Sequence, residues 1–440
     1  MRNIMLAATA IVGISALTAG YANAQTTPQA EPVLTTDSFN SGQATGAAMA
    51  PATYTVRLRA LLVFEGLYGT DSATKTAVGK NSQYYFGTYT RLYPKFDAKA
   101  ANGLEYGATM EIRSNSGGVG SGGASTANTL FFRRYNGYLG TPTIGRFYVG
   151  PENNALARLA AGTTMEDFDF NGGFNGDAPA ANNSNLTINF PYLRGASFYT
   201  TNKIVYLSPS FAGFTVGGSY EPSESVGETQ PSTSAVLNPT TASIAGGVSR
   251  RRNTLDIAAQ YKGSFGPVAL TSFVGYITSG HIQDSAATAA TVKFRDLKAY
   301  AGGFRMTIGP FAFGGIANAG DLNDNGNGTL LRQGQKKAQN FLAGFQYTVG
   351  PVIMGAQYVN QLSGGNYINS TNYAKSTLHD IGYSVGGAWD YAPGSTVFLN
   401  TLYSTRRQAG YNFVAGAATA SNVGNTGQAR GIAIGNSFKW

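Results

Sequence analysis

The sequence predicts an all-β protein, a transmembrane antiparallel β-barrel of about sixteen strands. Three observations predict this fold: strands in which apolar and polar residues alternate, short Gly/Pro turns at a regular spacing, and an alternating run that ends on aromatic residues at Trp440. Tyrosine and phenylalanine contribute 26 and 25 residues, glycine 58 and cysteine none. This composition favours strands and turns over helices, and the lack of cysteine excludes disulfides and thiolate sites.

The alternation is clearest in four segments, each of which places apolar side chains on one face and polar side chains on the other. Leu255 and Ile257, for example, oppose Asp256 and Gln260. The apolar faces of the other three segments are Tyr300, Phe304, Met306 and Ile308; Phe341, Ala343, Phe345, Tyr347 and Val349; and Ile381, Tyr383, Val385 and Trp389. We expect these faces to contact lipid and the polar faces to line a wet interior. A soluble β-sandwich also alternates, but the secretory leader and the aromatic chain end favour the barrel.

Four prolines, at positions 267, 310, 351 and 393, mark tight turns and are 43, 41 and 42 residues apart. This period accommodates two strands of about 10 residues and one long loop. A propeller blade has a similar period, but the sequence matches no blade motif. The candidate strands are 53–64, 82–93, 103–113, 130–140, 143–149, 198–208, 212–220, 253–263, 267–278, 295–308, 311–318, 339–349, 352–361, 378–391, 395–406 and 430–440. An even number of strands is required of a closed barrel with both termini on one side, and sixteen strands leave an aqueous channel.

The N-terminal segment predicts export. Arg2 precedes an apolar stretch over 4–17, and Ala22, Asn23 and Ala24 supply the small residues of a signal peptidase site. We therefore expect a signal peptide over 1–24, a flexible arm over 25–52 and a barrel over 53–440. The apolar stretch is shorter than the roughly 20 residues that span a bilayer as a helix, which disfavours a retained anchor.

The formal net charge of +9 raises the question of a nucleic-acid partner. The basic residues are scattered through the alternating strands instead of forming one stripe, apart from Arg250, Arg251 and Arg252. Together with the export signal, this distribution predicts no nucleic acid among the partners.

Four motifs carry a resemblance to a known family. They are residues 133–140 (RRYNGYLG), 142–148 (PTIGRFY), 202–209 with 211–214 (NKIVYLSP and FAGF), and 432–440 (IAIGNSFKW). On these motifs the chain resembles the general diffusion porins of the Gram-negative outer membrane, of the kind common in alphaproteobacteria, from about residue 53 to the end. The family more often ends in Phe, whereas this chain ends in Trp440. The likeness is specific for architecture and weak for substrate.

The resemblance implies a homotrimer in which a long third loop folds into the lumen of each barrel and narrows it. The expected third loop is the segment of about 150–197, whose acidic residues include Glu166, Asp167, Asp169 and Asp177. Opposite them the family places a basic cluster on the early strands, for which the candidates are Arg57, Arg59, Arg91, Arg113, Arg133 and Arg134. The family also implies an assembly signal in the last strand, with Phe438 and Trp440, that the outer-membrane insertion machinery recognises. Outer-membrane lipid and lipopolysaccharide would then surround the barrel.

Acids and bases that face each other across a narrow bore set up a transverse field, and rings of charged side chains tune ion preference. Arg57 and Arg59 share one strand face, opposite the apolar residues that flank them, so we expect both to face the lumen. Arg133 and Arg134 are neighbours and cannot both point inward in a regular strand, so one is expected at an interface or a bulge. For the acids the alternative is an exposed loop with solvated carboxylates.

The sequence shows no convincing catalytic or metal-binding pattern. His281 and His379 have no second ligand at suitable spacing, and Asp380 follows His379 directly, which places these two on opposite faces of a strand. The glycine-rich run over 117–123 lacks the Lys-Ser/Thr pair and the following helix of a phosphate-binding loop. We expect no enzyme activity and no cofactor.

The predicted function is a water-filled outer-membrane channel for passive diffusion of small hydrophilic solutes and ions. Three alternatives stay open: a barrel enzyme such as a lipase, a channel specific for sugars or anionic solutes, and a structural or adhesive barrel. The sequence does not predict the preferred solute or the ion selectivity.

Overall fold

The computed structural model of this chain describes residues 51–72, 84–115, 129–165, 167–168, 174, 188, 190–193, 201–223, 252–280, 295–322, 334–365, 377–414, 417–418 and 424–440. The predicted leader over 1–24 and the predicted arm up to residue 50 lie outside these described residues.

Most of the described residues are in β-strands. The strands are β1 (Pro51–Asp71), β2 (Tyr84–Ala100), β3 (Glu105–Asn115), β4 (Thr129–Thr141), β5 (Gly145–Pro151), β6 (Asn202–Leu207), β7 (Phe214–Ser223), β8 (Arg252–Phe265), β9 (Val268–Thr278), β10 (Lys298–Ile308), β11 (Phe311–Asp321), β12 (Ala338–Val349), β13 (Val352–Ser363), β14 (Leu378–Ala392), β15 (Ser395–Arg407), β16 (Tyr411–Asn412), β17 (Ala417–Ala418) and β18 (Thr426–Lys439). Within the described chain, all of these except β16 and β17 form one closed barrel of sixteen strands with antiparallel neighbours. The predicted fold class and strand number are therefore confirmed.

The connections between strands alternate in length. At one end of the barrel, which we call the short-turn end, the connections are short, as between β8 and β9 at 266–267. At the other end, the long-loop end, the connections are long, as between β5 and β6 at 152–201. This asymmetry is the one that the proline spacing predicts.

The Gly/Pro turns owe their geometry to glycine. In three of them a glycine with positive φ precedes the proline: Gly266 (57°), Gly309 (55°) and Gly350 (53°). A two-residue hairpin with positive φ at its first central residue matches the twist of the strands, and glycine adopts that φ without strain. The proline then occupies a position where no ladder hydrogen bond is required. The fourth turn has the reverse order, Pro393 before Gly394, as in a type II turn.

Side chains alternate between two environments along the barrel strands. In β8, Leu255 and Ile257 are exposed on the outer face, whereas Asp256 and Ala258 are buried on the inner face. β12 repeats this pattern, because Phe341 and Phe345 are exposed and Asn340 and Gln346 are buried. An outer surface of exposed aromatic and aliphatic side chains matches a lipid environment. In both strands the apolar side chains face outward and the polar side chains face inward, as the sequence predicts.

Strands β1 and β18 close the barrel. Leu61 lies opposite Lys439, and the pairing continues to Asp71 opposite Ala429. β1 therefore extends beyond the predicted end at residue 64, because backbone pairing with β2 and β18 continues through Glu65, where the apolar alternation stops. It also begins at residue 51, two residues before the predicted start.

A short helix, α1 (Ala155–Ala160), follows β5 and packs against the inner face of the barrel. Its N-cap is Asn154, whose side chain accepts a hydrogen bond from the Ala157 amide at 2.9 Å. Leu156 and Leu159 of α1 are buried in one apolar cluster with Phe273 of β9. Within the part of the chain that the structure describes, no helix is long and apolar enough to cross a bilayer.

Candidate functional site

The inner face of β1 carries two of the predicted arginines. Arg57 and Arg59 share the face of Glu65, which is buried inside the barrel, whereas Val56 and Leu58 are 73% and 64% exposed on the outer face. The alternation of the strand therefore directs both guanidinium groups into the lumen. Arg57 is half-exposed there and pairs with Asp97 at 3.0 Å.

Arg91 and Arg113 lie next to each other on the same inner face. They are cross-strand partners in the pairing of β2 with β3, and Arg91 is also opposite Leu61 of β1. The Arg91 guanidinium stacks over the ring of Tyr89, 4.9 Å from its centre, which stabilises the cation by its interaction with the π-face. Two adjacent arginines on one wall create a strongly positive surface.

One carboxylate, that of Glu111, holds three arginines at this level of the barrel. Arg113 Nε donates to Glu111 Oε1 at 2.6 Å, Arg133 Nη1 donates to the same oxygen at 2.8 Å, and Arg134 Nε donates to Glu111 Oε2 at 2.7 Å. The register between β3 and β4 shifts after Glu111, so the strand is irregular at Arg133. This bulge lets two consecutive arginines reach one acid on the inner face.

Glu152 extends this network into the segment between β5 and β6. It pairs with Arg134 at 3.3 Å and with Arg158 of α1 at 3.0 Å. The Arg158 guanidinium also stacks on the ring of Tyr148, 3.7 Å from its centre. The start of the segment is thus fixed to the wall formed by β4 and β5 through charge-assisted hydrogen bonds.

A second group of charges lies closer to the short-turn end. Asp97 pairs with Lys95 at 2.8 Å as well as with Arg57, and it accepts a hydrogen bond from Tyr138. Arg146 of β5 pairs with Glu105 at 2.7 Å. The inner face of β1–β5 therefore carries charged side chains over much of its height.

Other described residues of the segment between β5 and β6 contact strands on the far side of the lumen. Asp256 of β8 accepts a hydrogen bond from the Leu156 amide at 2.8 Å. Asn318 of β11 donates to the carbonyl oxygen of Pro191 at 2.6 Å. These buried contacts satisfy polar backbone groups that would otherwise lie unpaired inside the barrel.

Of the four acids predicted in the loop, the structure describes Asp167. Glu166, Asp169 and Asp177 lie outside the described residues. Asp167 pairs with Arg305 of β10 at 2.6 Å, and Arg305 also donates to the carbonyl oxygen of Thr164 at 3.2 Å. The contact of Asp167 is therefore on β10, whereas the arginines expected to oppose the loop acids are on β1–β4. β2 and β10 are eight strands apart in either direction around the barrel.

Aromatic side chains of the segment fit against glycines of the wall. Phe168 is fully buried against Gly355 of β13, and Phe174 is fully buried against Gly382 of β14. Any side chain at either glycine would overlap the aromatic ring. Glycine is required at these two positions because the ring approaches the backbone closely.

Three further residues join the site without having been predicted from the sequence: Arg305, Glu152 and Lys203. Lys203 of β6 is fully buried and pairs with buried Glu221 of β7 at 3.4 Å. Two features of the sequence could have drawn attention to these residues. Arg305 is a single charge in an alternating strand with an apolar face, and Lys203 lies inside one of the motifs that carry the family resemblance. Neither signal reveals the contact that the side chain makes.

The two histidines do not form a catalytic or metal site in the described residues. Asp380 binds Arg406 on the inner face at 3.1 Å, whereas His379 contacts Asn360 on the outer face at 3.2 Å. Adjacent strand residues thus point to opposite faces, as the sequence predicts. His281 lies outside the described residues, and within the described ranges no three side chains are grouped to hold a metal ion.

The C-terminal aromatic residues lie where β18 meets β1 at the short-turn end. Phe438 and Trp440 are both exposed. The Trp440 carbonyl accepts a hydrogen bond from the Ala60 amide at 2.8 Å, and the Lys439 amide donates to Gly394 at 2.7 Å. The last strand is therefore held on both sides up to its final residue.

A sixteen-stranded barrel with an apolar outer face and a charged inner face belongs to the class of transmembrane pore proteins. A family model described as Gram-negative porin matches residues 7–425. The chain belongs to this family.

Solved structures of porins have the same fold. The anion-selective porin from Comamonas acidovorans aligns with a TM-score of 0.56 and 15% identity, over 88% of this chain and 100% of that chain. OmpF of Salmonella typhi, in complex with daunomycin, aligns with a TM-score of 0.54 and 14% identity, over 88% and 97%. The trimer form of OmpT from Vibrio cholerae aligns with a TM-score of 0.51 and 12% identity, over 88% and 99%. A comparison with curated protein sequences finds no match.

The family and the fold together define the function at a general level. The protein is an outer-membrane channel for passive diffusion of small hydrophilic solutes and ions. The long loops therefore face the cell exterior and the short turns face the periplasm.

Proposed function

We propose that this porin favours anions and that solutes cross it along a basic wall formed by the inner faces of β1–β5. The channel conducts passively and carries out no catalysis. The proposal adds a preferred charge and a path to the general function of the family.

The observation that carries the proposal is the excess of basic side chains on the basic wall. The basic residues of β1–β5 are Arg57, Arg59, Arg91, Lys95, Lys99, Arg113, Arg133, Arg134 and Arg146, and the acidic residues are Glu65, Asp71, Asp97, Glu105 and Glu111. Even when every acid in these strands is ionised, positive charge remains in excess. Arg59 makes no ion pair with any described residue and thus contributes an uncompensated charge at the lumen.

Elsewhere on the inner wall, three cations have an acidic partner close by. Arg305 pairs with Asp167 at 2.6 Å, Arg406 pairs with Asp380 at 3.1 Å, and Lys203 pairs with Glu221. A cation beside a carboxylate contributes little potential in the bore, because the two fields largely cancel beyond the pair. Cations of the basic wall are also paired, but there several of them share one acid, as three arginines share Glu111, so positive charge remains in excess. In this proposal the basic wall therefore dominates the field that a solute experiences.

The physical consequence is a higher local concentration of anions in the bore. Charged side chains at the wall of a narrow pore, with protein and lipid of low dielectric behind them, raise the concentration of counter-ions and repel ions of the same sign. Rings and clusters of arginine are one of the ways in which pores select anions.

The segment between β5 and β6 is proposed to form the constriction. Near its start the segment is fixed to β4 and β5, and its other described contacts are with β8, β10, β11, β13 and β14. The proposed path runs beside the rest of the basic wall. In this proposal Asp167, with Glu166, Asp169 and Asp177, provides the acidic side of the constriction. The acids then lower the anion preference that the basic wall alone would give.

A homotrimer is proposed as the assembled form. The support is that one porin with the same fold, OmpT of Vibrio cholerae, is described in a trimer form. Native mass spectrometry of the purified full-length protein distinguishes three copies from one.

The reversal potential in a salt gradient tests the anion preference. The wild-type protein in a planar bilayer should give a reversal potential of the sign that indicates anion permeation. The double variant Arg57→Gln/Arg59→Gln should shift the value toward cations, because two positive charges leave the lumen. Lys262→Gln is the matched control, since Lys262 lies on the inner face of β8 and outside the basic wall. Equal reversal potentials for the wild type and the double variant would contradict the proposal.

A second candidate is a channel with a saturable site for anionic solutes. The observation that favours it is the stacking of wall arginines on tyrosines: Arg91 on Tyr89 and Arg146 on Tyr138, each 4.9 Å from the ring centre. Stacked guanidinium groups are held in fixed orientations, as a binding site requires. Conductance that saturates with the concentration of an anion would favour this candidate, and a linear increase would favour general diffusion.

A further inference from the structure

A cavity of about 240 Å³ lies inside the barrel, between the segment that joins β5 to β6 and the wall formed by β9, β10 and β11. Ala157 and Ala160 of α1 line one side, and Phe273 of β9, Ala301 of β10 and Ile316 of β11 line the other. We name this space the lumen cavity. It lies on the opposite side of the barrel from the basic wall.

Small side chains on both sides create the lumen cavity. The segment contributes Ala161 and Gly162 after the alanines of α1. On the wall, Ala301 is followed two residues later, on the same face of β10, by Gly303. A Cβ atom at Gly303 would lie 2.8 Å from a ring carbon of Phe273, so glycine at this position leaves room for the ring beside the cavity.

The size and the lining of the cavity fit one aromatic ring. A protein cavity of about 150 Å³ with aliphatic and aromatic walls holds benzene, so the larger space here accommodates a ring with a small substituent. Phe273 and Tyr192 both line the cavity, and aromatic side chains pack favourably on a ring in offset or edge-to-face arrangements. An aromatic ligand is favoured over a sugar, because the many hydroxyl groups of a sugar need more hydrogen-bonding partners than alanine-rich walls provide.

The polar groups of the cavity are few and include one unused acceptor. Asn153, beside the N-cap of α1, lines the cavity, and its Oδ1 atom is buried without a hydrogen bond from any described group. A buried acceptor without a donor is unfavourable, and a hydroxyl group on a ligand would supply the donor. Asn318 of β11 also lines the cavity, but its amide already donates to Pro191 and accepts from Asn340 at 2.7 Å.

The lining favours a ligand without charge. None of the described residues that line the cavity is charged. Arg305 lies four residues from Ala301 on the same face of β10, and it is paired with Asp167 at 2.6 Å. An ionised ligand would therefore lose hydration in the cavity without gaining a counter-charge.

Hydrogen bonds from the wall fix the shape of the cavity. Gln260 of β8 donates to the carbonyl oxygen of Ala161 at 3.1 Å, and Arg305 donates to that of Thr164 at 3.2 Å. Both Ala161 and Thr164 line the cavity. A preformed cavity binds its ligand without the entropic cost of ordering a loop.

We propose that the lumen cavity is a binding site for uncharged monocyclic aromatic solutes that carry a hydroxyl group, that is, for simple phenols. The ring of the solute lies between the alanines of α1 and the ring of Phe273, and its hydroxyl group donates to Asn153 Oδ1. The site retains such solutes beside the water-filled path. This inference goes beyond the anion path along the basic wall and does not depend on it, since the cavity lies on the opposite wall.

Fluorine NMR of para-fluorophenol with the full-length, detergent-solubilised protein tests this proposal. The fluorine signal is followed as the ligand concentration rises, because binding to a site saturates whereas partition into detergent increases linearly. Ala301→Leu and Ala157→Leu each fill the cavity from one side. The matched control is Ala317→Leu, which adds the same bulk to the exposed lipid face of β11, between Ile316 and Asn318. Heat-modifiable migration in electrophoresis identifies the folded protein for each variant.

We expect saturable binding of para-fluorophenol to the wild type and to Ala317→Leu, and loss of this component in both cavity-filling variants. Fluorobenzene, which lacks the hydroxyl group, should bind to the wild type about three- to tenfold more weakly, and Asn153→Leu should abolish this difference. The anion para-fluorobenzoate should show no saturable component that Ala301→Leu removes.

The absence of saturable binding to the wild type would overturn the proposal, as would equal saturable binding to the wild type and to the folded cavity-filling variants. Equal affinities of the wild type for para-fluorophenol and fluorobenzene would overturn the role of Asn153. Displacement of para-fluorophenol by para-fluorobenzoate would overturn the selection of uncharged ligands. The anion path is tested separately by the reversal potential, so failure of one proposal is distinguishable from failure of the other.

Discussion

Lys203 joins the two ends of the segment between β5 and β6. Its Nζ donates a hydrogen bond to the carbonyl oxygen of Glu152 at 2.6 Å, at the start of the segment, and to the carbonyl oxygen of Thr201 at 2.9 Å, at its end. The same ammonium pairs with Glu221 in a fully buried environment. A single side chain thus fixes where the segment leaves the wall and where it returns.

Replacing Lys203 by Met should destabilise the protein strongly. The change removes both carbonyl contacts and leaves Glu221 buried without its counter-charge, which costs about 3–5 kcal/mol in the free energy of unfolding. Urea unfolding in lipid vesicles measures this difference. Lys262→Met, which changes an exposed lysine of β8, should alter the free energy of unfolding by about 0.5 kcal/mol or less. Similar losses for the two variants would contradict the role of Lys203.

Arg305 and Asp167 should be energetically coupled. Their side chains are partly exposed, at 20% and 31%, so we expect a coupling of about 1 kcal/mol in a double-mutant cycle of Arg305→Gln and Asp167→Asn. Unfolding free energies of the wild type, both single variants and the double variant give the coupling. A cycle of Arg406→Gln with Asp167→Asn is the control and should give a value near zero. No coupling in the first cycle would show that the ion pair does not hold the segment.

The short turns should be inaccessible from outside intact cells. The chain has no cysteine, so single cysteines at Pro310 or Pro351 can be labelled selectively with a membrane-impermeant maleimide. We expect no labelling at these turns, which face the periplasm, and strong labelling at Gly118 or Asn325, both outside the described residues. Labelling of all four positions after cell lysis checks that each cysteine is reactive. Labelling of the proline turns in intact cells would reverse the topology.

Removal of the last three residues should prevent assembly. Deletion of Phe438 to Trp440 removes the backbone hydrogen bonds of Trp440 with Ala60 at the point where β18 closes the barrel, and it removes the predicted assembly signal. We expect degraded or unassembled protein and no heat-modifiable oligomer in outer-membrane fractions. Trp440→Phe, which keeps a terminal aromatic residue, should assemble normally. Normal oligomers from the truncated chain would refute the assembly signal.

The barrel was predictable because its signals are local. Alternation within β8 or β12 depends on residues that are two positions apart, and each Gly/Pro turn is contained in two residues. The early arginines were also predictable in part, since the parity of β1 places Arg57 and Arg59 on one face.

The contacts of the site were not predictable, because they join residues that are distant in sequence. Asp167 meets Arg305 across a separation of 138 residues, and no local pattern links the two. Arg133 and Arg134 show a second reason why the contacts of the site were not predictable. A regular strand directs neighbours to opposite faces, but the bulge opposite Glu111 lets both bind this acid. The sequence predicts only that one of the two arginines lies at an interface or a bulge, whereas the third partner, Arg113, is two residues from Glu111 on β3 and so shares its face.

Single-channel conductance after thiol modification tests most directly whether solutes pass along the basic wall. Arg59→Cys places a thiol on the inner face of β1, and Leu58→Cys places one on the lipid face of the same strand, one residue away. A water-soluble, negatively charged methanethiosulfonate should lower the conductance of Arg59→Cys in discrete steps and shift its selectivity toward cations, while Leu58→Cys stays unchanged. An unaltered conductance in Arg59→Cys, or an equal change in both variants, would contradict a conducting path beside this wall.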